Sequence, residues 1–218
     1  MQFDTRIERI LFSLGYRSNV MIKCENINLS FPQQVICEDL SFELEVGESM
    51  CFSGPSGKGK SSLLKMLMGF LIPQSGKIHV DGLELNGENI EQIRSRMLWL
   101  PQNINLPVDS GSELIDLLQM NEDQKENFRM FLNQLDVLNC GEKNSFTEIS
   151  GGQKQRIVMA ACLSLNKPIL FLDEPVSALD DSSIDLLFRT LDSLKNTTII
   201  STSHNEKWIS YCNRTIKL

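Results

Sequence analysis

The stretch Phe52-Ser53-Gly54-Pro55-Ser56-Gly57-Lys58-Gly59-Lys60-Ser61-Ser62 limits the fold of this chain more than any other. It follows an apolar run and opens a predicted helix. Its spacing is Gly54, four residues, then Gly59, Lys60 and the hydroxyl of Ser61, which is the phosphate-loop pattern. Glycines at 54, 57 and 59 allow turns closed to side-chained residues and a close backbone approach to an anion. Their N–H groups would line a concave nest at a helix N-terminus, where the peptide dipoles favour negative charge. Lys60 supplies a point charge for β- and γ-phosphates, and Ser61 a hard oxygen suited to Mg²⁺. Strand, loop and helix in this order predict an α/β core that holds a nucleoside triphosphate with its magnesium. The alternative for the same residues is a glycine-rich turn before a solvated Lys-Ser-Ser helix start.

At 218 residues the chain fits one α/β domain with a modest insertion better than two complete domains. Its 21 basic and 28 acidic residues leave a net charge of −7, which argues against broad electrostatic binding of nucleic acid; no nucleic-acid partner is expected. Six cysteines, at 24, 37, 51, 140, 162 and 212, form no C-x-x-C pair and no cluster with histidine, so free thiols in a reducing compartment are predicted. The longest apolar candidate for a bilayer span, Ile157 to Leu172, is broken by Asn166-Lys167-Pro168. Any membrane is then reached through a partner.

Residues 1–20 read as an N-terminal extension. Thr5 and Glu8 make a capping box, Ile7, Ile10, Leu11 and Leu14 share one face, and Gly15 offers a stop, so a short amphipathic helix is predicted. It is read as a docking helix or as an appendage packed on its own domain, with Met21 as an alternative start. From Ile22 to Val46 the pattern is that of an antiparallel layer, and Ser49 to Ser53 is a buried strand. Phe31, between the two layer strands, either stacks on a nucleobase or tucks onto the sheet. A helix over Ser61–Met68, a strand over Lys77–Val80, a short helix over Asn89–Ser95 and a buried strand over Met97–Leu100 follow. His79 reads as a structural histidine. Residues 103–149 carry helical apolar spacing, including Phe128, Phe131, Leu132 and Leu135, and form an α-helical insertion. Ser150 is then an N-cap for a helix that opens Gly151-Gly152-Gln153, whose double glycine leaves N–H groups open to an anion.

Pro168-Ile169-Leu170-Phe171-Leu172 is an apolar strand ending in Asp173-Glu174. Ligands of open α/β sheets lie beyond the carboxyl ends of the strands, which brings this acid pair to the phosphate loop. Two carboxylates before a proline are otherwise a solvated turn. Beside a triphosphate, Asp173 can hold magnesium through its water shell and Glu174 can polarise an attacking water. A helix over Ser182–Leu194 and a strand over Thr197–Ile200 come next, and His204, just past that strand, could reach the γ-phosphate.

Taken in order, these motifs resemble the ATPase subunit of an ATP-binding cassette (ABC) transporter over residues 21–218. Gly54 to Ser62 is similar to Walker A, Leu100-Pro101-Gln102 to the Q-loop, and Ile149-Ser150-Gly151-Gly152-Gln153 to the signature. Leu170 to Pro175 resembles Walker B, Ser177-Ala178-Leu179-Asp180 the D-loop, and Thr202-Ser203-His204 the switch histidine. The resemblance implies a P-loop NTPase core with a mixed sheet, an antiparallel β layer and an α-helical subdomain. It implies ATP and Mg²⁺ as ligands, bound along Gly54, Pro55, Ser56, Gly57, Lys58, Gly59, Lys60, Ser61 and Ser62, with Phe31 on the adenine. Ser61, Gln102 and Asp173 would serve the metal, and Glu174, Gln102 and His204 the hydrolysis. It further implies a dimer in which Ser150 to Gln153 of one copy complete the site of the other, with Asp180 coupling the two. A transmembrane permease subunit would be the partner, and the cytoplasmic inner face of the membrane the location. The chain departs from the common pattern at Ile149 (usually Leu), at Phe31 (usually Tyr) and at Lys58, a variable position often filled by a small residue. The tail beyond His204 is expected to carry no added regulatory domain. Two other readings stand beside this one: a non-transport ABC ATPase of DNA repair or translation, and a nucleoside monophosphate kinase, because Gly54 to Lys60 also resembles the guanylate kinase loop.

Overall fold

The computed structural model describes residues 19–218, and the amphipathic helix expected from Thr5 to a stop at Gly15 lies outside them. Parallel and antiparallel pairing are both present, divided between two sheets. Strands β1 (Val20–Phe31) and β2 (Gln34–Glu45) form a long antiparallel hairpin. The loose alternation of β1 has a local cause. Asn26 and Asp39 both adopt positive φ, at 52° and 49°, and the register shifts between Cys24 and Ile27. The Asn26 amide donates to Asp39 Oδ1 at 2.6 Å across this bulge. Strand β4 (Ser75–Val80) pairs with β1, and the Asp81-Gly82 turn returns the chain to β5 (Leu83–Glu84), giving the order β2-β1-β4-β5.

The second sheet is parallel throughout. Strands β3 (Ser49–Ser53), β6 (Met97–Leu100), β7 (Ile169–Asp173), β8 (Thr198–Ser203) and β9 (Arg214–Lys217) lie in the order β6-β7-β8-β3-β9. β3, β7 and β8 are buried along their whole length, because helices or the antiparallel layer cover both faces. Period-two alternation sorts their side chains into two cores. Phe52, Phe171 and Ile200 face α1 (Lys60–Leu67) and the antiparallel sheet, together with Ile22, Leu44 and Leu63. Cys51, Leu170, Leu172 and Ile199 face the helical side, with Phe128, Leu132, Ile157 and Trp208. Full burial of Phe52, Phe128 and Phe171 contributes on the order of 1.5–3 kcal/mol each.

Helix α2 (Ile90–Ser95) precedes β6. The insertion is built from α3 (Gly111–Leu117), α4 (Glu122–Gln134) and the single turn α5 (Leu138–Gly141), packed on α6 (Gly151–Ser164). Helices α7 (Asp181–Asp192) and α8 (Glu206–Tyr211) complete the helical face. One expectation changes: β6 is an edge strand, so Trp99 is 36% exposed rather than buried. In the tail, for which no strand was read from the sequence, β9 adds a fifth strand beside β3, held by Arg214 against the Glu43 carbonyl. The six cysteines are free thiols, with Cys24, Cys51 and Cys212 buried. No helix among the described residues is long and apolar enough to cross a membrane.

Candidate functional site

The phosphate loop leaves β3 at Ser53 and enters α1 through Gly59, whose φ of 91° is left-handed and whose missing Cβ leaves room for Ile36 Cδ1, 2.4 Å from where that atom would lie. No side chain caps this helix, and its first N–H groups have no intrahelical acceptor, as an anion seat requires. Lys60 is buried at 7% exposure. Its Nζ donates to Gly54 O at 2.9 Å and to Pro55 O at 3.1 Å, and it lies 3.6 Å from Glu174 Oε1. The cation is therefore held over the loop by oxygens that a triphosphate would replace. Lys58 projects to solvent.

The acid pair stands at the end of β7, beside the loop. Asp173 Oδ1 accepts from Ser61 Oγ at 3.0 Å and from Thr202 Oγ1 at 2.5 Å. Two hard oxygens from α1 and β7 thus meet at one point, which fits magnesium held by one or two protein ligands plus waters and phosphates. Glu174 turns out of the strand with φ 51°. Its N–H donates to both the carbonyl and the hydroxyl of Thr202, each at 3.1 Å. Its carboxylate lies between Lys60 and His204, whose Nδ1 is 3.0 Å from Oε2. His204 itself is exposed, so it can turn toward a ligand without leaving a packed site.

A cleft of about 300 Å³ joins these groups. Ser56, Gly57, Gly59, Lys60, Ser61 and Ser62 form its floor, Glu174, His204 and Gln102 one side, and Phe31 its outer lip. Phe31 is 43% exposed at the hairpin tip and offers an open ring face. Phe31 is therefore not tucked onto the sheet, and its ring is accessible from the cleft.

Ser150 to Gln153 and Asp180 do not line this cleft. Ser150 caps α6 by accepting from Gln153 N at 3.2 Å, and Gln153 Oε1 accepts from Ser150 N at 2.9 Å, a full capping box. A Cβ on Gly151 would meet open space, whereas one on Gly152 would lie 2.8 Å from Ala178 O. The signature turn is thus open on one side and fitted against the D-loop on the other. Asp180 caps α7 through Ser183 N at 2.8 Å. Sequence reasoning missed Thr202, Gln34 and Ile36. The signal for Thr202 was the run Ser201-Thr202-Ser203, three hydroxyl residues in succession at the end of a strand, all of them fully buried. Gln34 and Ile36 carried none, since both read as ordinary strand positions.

The model of the family described as ABC transporter matches residues 37–177. Among curated proteins, the energy-coupling factor transporter ATP-binding protein EcfA1 of Oenococcus oeni is 33% identical over 210 residues, spanning 91% of this chain and 76% of that protein. A probable ABC transporter ATP-binding/permease protein of Haemophilus influenzae is 32% identical over 208 residues, covering 89% of this chain but 37% of that longer one. The chain therefore spans only about a third of the ATP-binding/permease relative. Among solved structures, a dimeric post-hydrolysis state of the ATP-binding cassette MJ0796 bound to ADP and Pi superposes with a TM-score of 0.75 at 22% identity, over 91% of this chain and 94% of that one, a likeness of fold. With the phosphate loop, the acid pair and His204 gathered at one cleft and the family match running from within β2 to Ser177, the chain belongs to the ABC transporter family, as an ATP-binding and ATP-hydrolysing cassette.

Proposed function

We propose that this chain powers solute transport by closing as a dimer over two ATP molecules and docking on a separate transmembrane permease subunit at the inner face of the membrane. One observation carries the reading. The residues for gripping and hydrolysing a triphosphate converge on one cleft, while Ser150 to Gln153, with their open helix start, stand outside it. A second copy supplies that helix start from across the seam. The negative net charge and the absence of any membrane-spanning helix among the described residues agree with a permease partner rather than a nucleic-acid one.

In the closed state Phe31 stacks on adenine, and the loop N–H groups with Lys60 cradle the phosphates. Ser62 reaches the α-phosphate region. Ser61, Asp173 and Gln102 would hold magnesium, which would supply positive charge to offset that of the phosphates. Glu174 accepts a proton from water as its oxygen bonds to the γ-phosphorus and the bond to the β–γ bridging oxygen breaks, giving ADP and phosphate. Thr202 holds Glu174 and Asp173 in register for this. His204 donates to the γ-phosphate, and Asp180 reports its loss across the seam.

The test is Glu174→Gln, which keeps the shape and removes the base. Hydrolysis should fall by roughly 10²–10⁴-fold while ATP is retained. With ATP and magnesium the variant should migrate as a dimer in light scattering; a monomer under those conditions counts against the reading. Pull-down of the tagged protein from solubilised membranes should recover a multi-span protein, and recovery of ribosomes or DNA instead would redirect it.

A further inference from the structure

We propose that Gln34 is a positioning residue of the nucleotide site: its side-chain amide fixes the Gly57–Lys58 peptide and ties the phosphate loop to the hairpin that carries Phe31. The inference rests on the reading of that loop as a triphosphate seat. Gln34 opens β2 and pairs with Phe31 across the hairpin turn. Its Nε2 donates to Gly57 O at 2.8 Å.

Gly57 has a φ of 80°, and a Cβ there would meet nothing within 4 Å, so glycine serves the backbone conformation and not the space. From within the loop this peptide is held only by a long hydrogen bond, Lys58 N–H to Pro55 O at 3.4 Å, and glycine itself adds no steric bar to its turning over. The consequence is electrostatic. In one orientation the Lys58 N–H faces the interior of the loop, and it donates to Pro55 O at 3.4 Å. In the other, the Gly57 carbonyl would face the anion and repel it. Other loop carbonyls already have donors: Gly54 O and Pro55 O take Lys60 Nζ, and Gly59 O takes Leu63 N at 3.0 Å. Gln34 adds Gly57 O to this set from outside the loop. Lys60 must leave its carbonyls to grip a phosphate, whereas the neutral Gln34 amide need not move.

A second consequence concerns distance. Phe31 belongs to the antiparallel sheet and the phosphate loop follows a strand of the parallel one. Gln34 on Gly57, with Ile36 against Gly59, spans that junction, so the spacing from base to phosphates is set by side chains of β2.

The test compares Gln34→Met, which keeps length and removes the donor, with Gln34→Glu, which replaces the donor by an oxygen that repels Gly57 O. Dissociation constants are measured for Mg-ATP by calorimetry and for inorganic triphosphate by competition. Gln34→Met should weaken both by roughly three- to tenfold, the size of one lost hydrogen bond, and Gln34→Glu by more. Turnover at saturating ATP should stay within about twofold, because Glu174 and His204 are untouched. The unliganded thermal midpoint should not move. Phe31→Ala, by contrast, should weaken ATP and leave triphosphate unchanged. Wild-type affinities in both Gln34 variants overturn the proposal, as does a fall in midpoint that accounts for the loss. If Lys60→Ala abolishes triphosphate binding while the Gln34 variants keep it, only the Gln34 proposal fails. If Lys60→Ala itself binds triphosphate normally, the reading of the loop fails.

Discussion

At Glu174 a non-glycine residue sits at φ 51°, which costs roughly 1–2 kcal/mol relative to ordinary backbone. The turn is held by two hydrogen bonds to Thr202, and it swings the carboxylate off the strand to a place between Lys60 and His204. A strained acid fixed from behind and paired in front fits a proton acceptor that must not wander. Asp180 shows the opposite economy. It is exposed, and hydrogen bonds from Ser183, then Ser182, hold its carboxyl down at about 2, below its ordinary 3.8. A depressed folded-state value means that the stabilising contribution is full above the ordinary value and is lost as pH falls through about 2. Asp180→Asn keeps an acceptor for Ser183 N without the charge. The wild type should therefore unfold at higher temperature than the variant near neutral pH, and the gap should close between about pH 4 and pH 2. A gap that ignores pH in thermal scans would refute this account of the cap.

At the level of elements, the start of α6 is capped from within and, on the proposed reading, would also face a partner copy's phosphates. Ser150 and Gln153 satisfy each other's backbone N–H groups, so the turn is rigid before any ligand arrives. Ser150→Ala should cost about 1 kcal/mol in chemical denaturation, the usual loss of an N-cap. Ser150→Asp retains the cap and suits the helix dipole, so its stability should match or exceed that of the alanine variant. It also sets a carboxylate where a partner copy's γ-phosphate would arrive, and ATP-dependent dimerisation should disappear. Dimers of Ser150→Asp with ATP would show that this turn is not the seat. Other elements explain where the sequence misled. β9 carries Ile216 as its one apolar side chain, too little to announce a strand; its place comes from pairing with β3. Met97–Leu100 reads as a core strand by composition, but nothing in four apolar letters says which strand of a sheet lies at the edge.

For the whole molecule, the cleft lies where two sheets meet, with Phe31 on one and the strand ends of Glu174 and His204 on the other. The signature turn is presented elsewhere on the surface, against the D-loop. On the proposed reading, a molecule so divided would hold both halves of a site that it cannot close on itself. Lys60→Ala and Ser150→Asp should each abolish hydrolysis alone. In an equimolar mixture, a dimer of one of each contains a composite site with Lys60 from one copy and Ser150 from the other. Hydrolysis should return on mixing in a phosphate-release assay; a mixture as inert as its components would mean that the site is not shared.

The motifs proposed to carry the chemistry were legible by themselves, since phosphate, magnesium and a base each demand particular residue types at short spacing. The loop, the acid pair, the switch histidine and the capped signature helix all stand at the ends of the predicted elements. Residues 37–177 alone place the chain in its family, which also decides against a monophosphate kinase. Local pattern could not convey contacts between residues far apart in the chain: Thr202 on the acid pair, Gln34 on Gly57, Gly152 against Ala178. Each is a polar or close-packed meeting of two segments whose own periodicity is indifferent to it. Only the tertiary structure decides such meetings, because they depend on which strand lies beside which, whereas a loop that binds phosphate is written in consecutive letters.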